Sequence, residues 1–462
     1  MRALPAAVVG CIAAAVLLAT RADAQTAAAS TMTLDQVVAT ALAKHPRIRS
    51  GQADERTSDA RVDEARTSQL PELGISAQIN RSTGNTPPGA WFNTTGFPPV
   101  AGAPRGKSLD EGVWQTGASA WGSWDVLAFQ RQAAAIDVAL AGRNEAGAAT
   151  QADRLEIAYE AADAFIELVE AEETVRAAKV SVDRAQVLVT MTQPLVDQNL
   201  RPGADAARAQ AELAAARTAL ARVQQAVEVR RARLAEVMGD ASLRVDAEPG
   251  SLTGPVSDRT PRPQSPSPTH PELVRSDAAV SRAKQQESAV DVQYLPRLDL
   301  VAALWVRGSG YLQSPADGLV PDIPNWAAGA VLTWSILDIP TIRARARAAS
   351  ASTEAASAHR DETYLAVRAQ LTSATAALDG ARAVANQTPA TLAAARAAEA
   401  QIVARYRAGL APVIDVADAE RVLTQAEIDD AVARLEVRRA MLAVARAAGD
   451  LGPFFSAVRA GS

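Results

Sequence analysis

The residues of this sequence best placed to do chemistry are the acidic ones that stand where helical runs break. In YRAGLAPVIDVADAE, Tyr406 to Glu420, an Ala-rich run stops at Gly-Leu-x-Pro and restarts at Asp415, with Asp418 close behind. At a distance of 210 residues upstream, QNLRPGADAARAQAE does the same and restarts at Asp205. An aspartate at a helix start accepts hydrogen bonds from free backbone N–H groups and suits the positive end of the helix dipole, so capping is the first reading of Asp205 and Asp415. Asp418 is poorly explained that way. The three histidines offer less: His45 and His270 each precede a proline and mark corresponding helix starts, and with His359 they form no cluster of metal-ligand spacing. No Gly-rich phosphate loop, nucleophile elbow or His-based triad is present, so no catalytic group, cofactor or metal is expected.

The segments that must position these residues are unusual. With 4% aromatic residues and an excess of Ala, Arg and Glu, the 462-residue chain favours long helices over ordinary globular domains. Residues 1–24 read as a secretory signal: Arg2, an apolar run from Ala6 to Thr20, and Ala22-Asp23-Ala24 as a cleavage site before Gln25. Cys11, the only cysteine, lies inside that segment with most of the apolar run after it, which disfavours a lipid-modified cysteine. The expected mature chain has no thiol, hence neither disulfide nor thiolate metal site. Without Arg2, Arg21 and Asp23 the 47 Lys+Arg and 52 Asp+Glu fall to 45 and 51, a formal charge of −6 and no footprint for nucleic acid. Beyond the signal no apolar run is long enough for a transmembrane helix, which leaves a β-barrel open.

The chain is written twice. HPRIRSGQADERTSDARVDEARTSQLPEL from His45 and HPELVRSDAAVSRAKQQESAVDVQYLPRL from His270 share a His-Pro and a Leu-Pro at an offset of 225. WDVL at Trp124 and WSIL at Trp334, Asp205 and Asp415, and the Gly-Asp pairs at Gly239 and Gly449 all stand at an offset of 210. The 15-residue difference falls between Pro71 and Trp124, where the first copy carries the longer loop. This divides the chain into a signal at 1–24, a first repeat at 25–248, a Pro/Ser-rich linker at 249–269 and a second repeat at 270–462. An extra helix-like segment, TLDQVVATALAKHP, precedes the first copy.

Within each copy the hydrophobic period changes. Leu155, Ala158, Ala162, Phe165 and Val169 step by three and four, as do Tyr364, Val367, Leu371, Ala374, Leu378 and Ala381. A single helix from Phe129 to Leu200, bent near its far end by Pro194, spans about 108 Å. The shorter helices His45 to Gln69 and Asp205 to Met238 together come to about 88 Å, enough to lie beside it. Between helices the pattern alternates, and strands are expected at about 71–80, 113–124, 297–306 and 325–334, each near the length of a tilted transmembrane strand. Six of seven tryptophans, Trp114, Trp121, Trp124, Trp305, Trp326 and Trp334, fall in these strands, as in an aromatic girdle at a bilayer interface. Four strands cannot close a membrane barrel alone, so several copies must share one.

On the signal, the TLDQVVATALAKHP segment, the duplicated helix, strand, loop, strand and helical hairpin, and YRAGLAPVIDVADA at the second hairpin, the sequence resembles the TolC-type outer-membrane efflux and secretion channels. The resemblance covers essentially the whole mature chain. It implies a mainly α fold with a membrane β-barrel: a homotrimer with a 12-stranded barrel in outer-membrane lipid and a 12-helix periplasmic α-barrel. It implies conduction without catalysis, from a periplasmic adaptor (membrane fusion protein) and an inner-membrane pump to the exterior. Tyr406, Asp415, Asp418 and Asp205 then fall on periplasmic gate positions. Asn199, Leu200, Gly409 and Leu410 fall on the tips that meet the adaptor. Three copies would turn each aspartate into a ring that attracts cations, repels anions and raises its own carboxyl pKa values by crowding. Two positions depart from the family: Ala411 stands where a gate arginine is expected and Ala204 where a hydroxyl is expected, so the latch differs. The rival reading, a soluble periplasmic coiled-coil adaptor or scaffold, gives no reason for four bilayer-length strands ringed by tryptophan.

Overall fold

A computed structural model describes residues 30–83, 112–198, 202–254, 263, 265–309 and 316–460. The signal segment with Cys11 and the tip residues Asn199 and Leu200 lie outside the described residues.

The order of elements is duplicated like the sequence. The first copy runs β1 (Ser30–Met32), α1 (Leu34–Lys44), α2 (Pro46–Thr67), β2 (Glu72–Thr83), β3 (Gly112–Asp125), α3 (Phe129–Asp197), α4 (Gly203–Val237) and β4 (Val245–Ala247). The second runs α5 (Pro271–Asp291), β5 (Arg297–Ser309), β6 (Ile323–Thr333), α6 (Ile339–Arg407), α7 (Val413–Ala448) and a short α8 (Gly452–Ala460). Local chemistry sets the boundaries. Thr33 and Gln36 form a reciprocal capping box at the start of α1, and α2 and α5 each begin on the proline that follows a histidine. Pro194 stays within α3, which continues to Asp197. Positions 84–111 separate β2 from β3 and positions 310–322 separate β5 from β6, a difference of 15 that matches the two repeat offsets.

The described chain divides into two compact units. The first, Ser50–Ala152 with Pro271–Ala366, is built on a four-stranded antiparallel sheet in the order β2-β3-β5-β6. Residues directly opposite one another share a face, so the register sorts the side chains. Leu73, Ile75, Ala77 and Ile79 stand beside Gly122, Ala120, Ala118 and Thr116. These continue through Ala302, Leu304, Val306 and Gly308 to Ala328, Trp326 and Pro324. Apart from Thr116 and, at one end, Arg81 beside Trp114, that face is apolar from edge to edge. The other presents Ser76, Gln78, Ser119, Arg297, Asp299, Arg307 and Asn325, with Val301, Ala303 and Val331 between them. The apolar face is uncovered: Ile75 is 89% exposed and Trp326 76%. Trp114, Trp124 and Trp326 belong to it, and Trp334 follows β6 directly. Trp121 and Trp305 do not: they sit on the polar face, Trp121 opposite Gly74 and Trp305 opposite Asn325, one register step out of phase. The tryptophans of the expected girdle therefore do not all share one face of the sheet. Among the described residues no helix is long and apolar enough to cross a membrane.

The second unit, the described parts of Met1–Arg49, Asp153–His270 and Val367–Ser462, is a helical assembly. The expected seam residues Ala158, Ala162, Phe165, Val169, Leu371 and Leu378 are all in its buried core, joined by α1, α7 and α8. Each large side chain there contributes roughly 1.5–3 kcal/mol by leaving water. Helices α3 and α7 run antiparallel, and an ion-pair ladder flanks the seam. Arg446 pairs with Glu156 at 2.8 Å, and one heptad along both helices Arg439 pairs with Asp163 at 2.6 Å and Glu167 at 2.7 Å. The two Gly-Asp pairs acquire a purpose. Gly239 and Gly449 end α4 and α7 at φ 75° and 89°, and a Cβ would lie 3.0 Å from the Lys44 carbonyl oxygen or 2.9 Å from the His270 Cα. Each Gly-Asp therefore turns against the His-Pro of its own copy, a position only glycine fits.

Candidate functional site at the hairpin ends

Helix α6 ends in a Schellman turn. The Leu410 N–H donates to the Arg405 carbonyl at 2.8 Å, the Gly409 N–H donates to that of Tyr406 at 3.0 Å, and Gly409 has φ 78°. Leu410 is left 71% exposed, whereas the next residue, Ala411, is buried. Pro412 then occupies the N-cap of α7, as Pro202 does for α4. This corrects the capping expectation. A proline has no side-chain acceptor, and Asp205 and Asp415 are the third helical residues. There their charge faces the helix dipole but they are not the N-cap. The two turns match in detail: the Asp205 N–H donates to the Pro202 carbonyl at 2.9 Å and that of Asp415 to Pro412 at 3.3 Å.

Above the turns the two hairpins share a small core. Leu188 and Ala209 of the first pack with Tyr406, Ala411, Val413 and Val416 of the second. Tyr406 is 3% exposed and its Oη lies 3.0 Å from Thr192 Oγ1. Thr192 donates to the Leu188 carbonyl at 2.8 Å, so the Tyr406 hydroxyl donates to Thr192. This buried bond crosses from α3 to α6. Ala411 belongs to the same core, where an arginine would bring an uncompensated charge; its small size and the Tyr406–Thr192 bond go together.

The structure treats the expected acidic positions differently. Asp415 is exposed and Asp205 half-buried at equivalent helix starts. Asp418 is held by Arg421, which also reaches Glu212 of α4 at 3.9 Å. The ion pair, not capping, accounts for Asp418.

Sequence reading overlooked the charge cluster behind this core. Arg184 of α3 makes a two-point contact with Glu427 of α7 at 2.8 and 2.9 Å, with Arg396 of α6 at 3.8 Å. Two turns nearer the hairpin end, Glu420 faces Glu399 of α6, Arg184 of α3 and Glu212 of α4. Burial first, then Glu399, push its carboxyl up to about 7, against a smaller downward pull from Arg184. A carboxyl at 4.5 when solvated and about 7 when packed is neutral in both states at low pH and opposes packing increasingly as pH rises from 4.5 through 7. Packing of the hairpin ends is thus expected to weaken between about pH 4.5 and 7 and to change little above that. Amide exchange at residues 402–416, corrected for its intrinsic pH dependence, should accelerate over that range, and Glu420→Gln should remove the step. An unchanged step in the variant would assign it elsewhere.

Among the described residues no group of three His, Cys, Asp or Glu is placed to hold a metal ion. The arrangement joins two hairpin ends through a small apolar core and a buried hydrogen bond, with carboxylates beside it.

A family profile described as "Outer membrane efflux protein" matches residues 37–240 and 268–450. No curated protein matches in sequence. Solved structures do. The chain is similar to CusC, described for transmembrane channel formation, with TM-score 0.74 at 13% identity over 90% of this chain and 92% of that one. It is also similar to the outer membrane protein VceC of Vibrio cholerae, with TM-score 0.69 at 17% identity over 90% and 96%. The outer-membrane channel OprN gives TM-score 0.69 at 21% identity over 90% and 89%. At these identities the likeness shows the fold.

Proposed function

Because the chain belongs to the outer membrane efflux protein family, we propose that three copies of it assemble into one exit duct whose aperture lies at the hairpin ends. The chain is an outer-membrane channel with a large helical periplasmic portion; it conducts and does not catalyse. The observation that carries the trimeric reading is the sheet: one face is apolar from edge to edge, and β2 and β6 are left as open edges. Open edges are not tolerated in a bilayer, where every backbone group must be paired, and four strands are too few to close on themselves. Three copies give the 12-stranded barrel, with the polar face lining its interior and Trp114, Trp124 and Trp326 near the lipid interfaces. The helices then form a 12-helix periplasmic tunnel.

The gate is the hairpin-end core. Tyr406 with Thr192 latches it within each copy, and Asp415 and Asp205 place carboxylate rings at its mouth. Asp418, neutralised by Arg421, adds less. Opening moves the second hairpin outward, so that tip contacts give way to contacts with a periplasmic adaptor bound to an inner-membrane pump. Gly409 and the exposed Leu410 present the adaptor surface, together with Asn199 and Leu200 of the first turn. Membrane fractionation tests the assembly: the protein is expected in the outer membrane as a trimer that dissociates on heating. Recovery as a soluble monomer would instead favour a coiled-coil scaffold.

A further inference from the structure

Trp121 and Trp305 have no part in the apolar surface of the sheet, because they stand on its polar face. In the strand order β2-β3-β5-β6 one row across that face reads Gly74, Trp121, Ala303 and Ala327, and the next reads Ser76, Ser119, Trp305 and Asn325. The two indoles are therefore diagonal neighbours, about 7–8 Å apart, in a field of mostly small side chains. Trp121 lies across β2: a Cβ on Gly74 would meet the indole Cζ2 and Nε1 at 2.6 Å. Ala303 and Ser119, directly opposite the two tryptophans, are buried, as rings lying along the sheet would leave them. The duplicated architecture does not call for an indole at either place. The sheet repeats the sequence offsets, with Leu298 opposite Leu332 as Leu73 is opposite Gly122. At those offsets the equivalents of Trp121 and Trp305 are Val331 and Asn80, whereas Trp124 recurs as Trp334.

We propose that Trp121 and Trp305 form a stacking platform inside the barrel for planar aromatic solutes moving through the duct. This inference rests on the trimeric reading, which turns the polar face to the interior, and goes further by naming a ligand class and its site. Both rings are half-buried rather than enclosed, and their spacing lets one fused-ring molecule touch the two together. An indole face carries a large apolar area and a negative quadrupole, so it takes flat rings by stacking and holds them more tightly when they are cationic. Hydrogen bonding adds little selection, since the hydroxyls beside the rings, Ser76 and Ser119, bond each other at 2.7 Å. Contacts of this strength slow a solute without trapping it, as conduction requires.

Binding of N-methylacridinium to purified outer-membrane trimers tests the platform, read as quenching of the dye's fluorescence on contact with indole. The parent is expected to quench saturably, and tetraethylammonium, which has the charge without the ring, should not displace the dye. Trp121→Leu with Trp305→Leu keeps apolar bulk and should weaken binding about tenfold or more. Trp121→Phe with Trp305→Phe keeps two aromatic rings and should stay within about threefold of the parent. Trp124→Leu, on the other face, should bind as the parent does. Leu-substituted trimers that bind as tightly as the parent, Phe-substituted trimers as weak as the Leu-substituted ones, or displacement by tetraethylammonium would each overturn the platform while leaving the trimer intact. Failure to recover the parent as a trimer would instead overturn the reading on which the platform rests.

Discussion

Tyr406→Ala is expected to loosen the two hairpin ends from each other while leaving the rest of the helical assembly folded. The side chain is almost fully buried in a core made by both hairpins, and truncating a buried aromatic costs about 3–5 kcal/mol. If that cost falls on packing of the ends, amide exchange at residues 402–416 accelerates by about a hundredfold or more. Tyr406→Phe separates the two contributions. It keeps the ring and removes the hydroxyl with its hydrogen bond to Thr192, worth about 1 kcal/mol or roughly fivefold. Thr192→Val should match it, and the double variant should add little to either, because both remove one bond. Exchange unchanged in Tyr406→Ala would mean that this core does not hold the ends together.

A charge on the apolar sheet face is expected to be at least as damaging, through membrane insertion. Ala302 lies mid-strand on that face, opposite Gly122 and Ala328. Arginine at the bilayer midplane costs about 2–4 kcal/mol on a barrel's lipid face, and three copies incur it together. Ala302→Arg should abolish recovery of trimers from the outer membrane. Ala327→Arg, on the polar face of β6 opposite Ala303, places the same charge toward the interior and should be recovered at near parental levels. Equal loss in both variants would mean that the two faces are not distinguished by lipid.

Much of the fold was legible because it is periodic. Alternation in PELGISAQIN and the step of three and four through Phe165 and Leu371 placed strands and helices within three residues of their observed bounds. The offsets of 225 and 210 carried the duplication into the sheet register. Other features depend on partners distant in sequence. Thr192 is a lone hydroxyl four residues from Leu188, and only the approach of α6 gives it Tyr406, 214 residues away. Glu420 looks like one carboxylate among many until four helices enclose it. The aspartates at the turns read as caps because the helix start cannot be fixed to one residue from sequence, and the structure moves it onto Pro202 and Pro412. Trp121 and Trp305 were grouped with the other tryptophans by nearness to strand ends, although their odd positions already put them on the other face from Trp124 and Trp326.

The assembly proposed here stands on ion flow. Single-channel current through the purified protein in planar bilayers measures it directly, at pH 6 and pH 8 and with Asp415→Ala beside the parent. The expected result is discrete, cation-preferring conductance that is larger at pH 8 than at pH 6, with the cation preference reduced in Asp415→Ala. Bilayers that stay silent with the parent and with Tyr406→Ala at both pH values would contradict a channel gated at its hairpin ends.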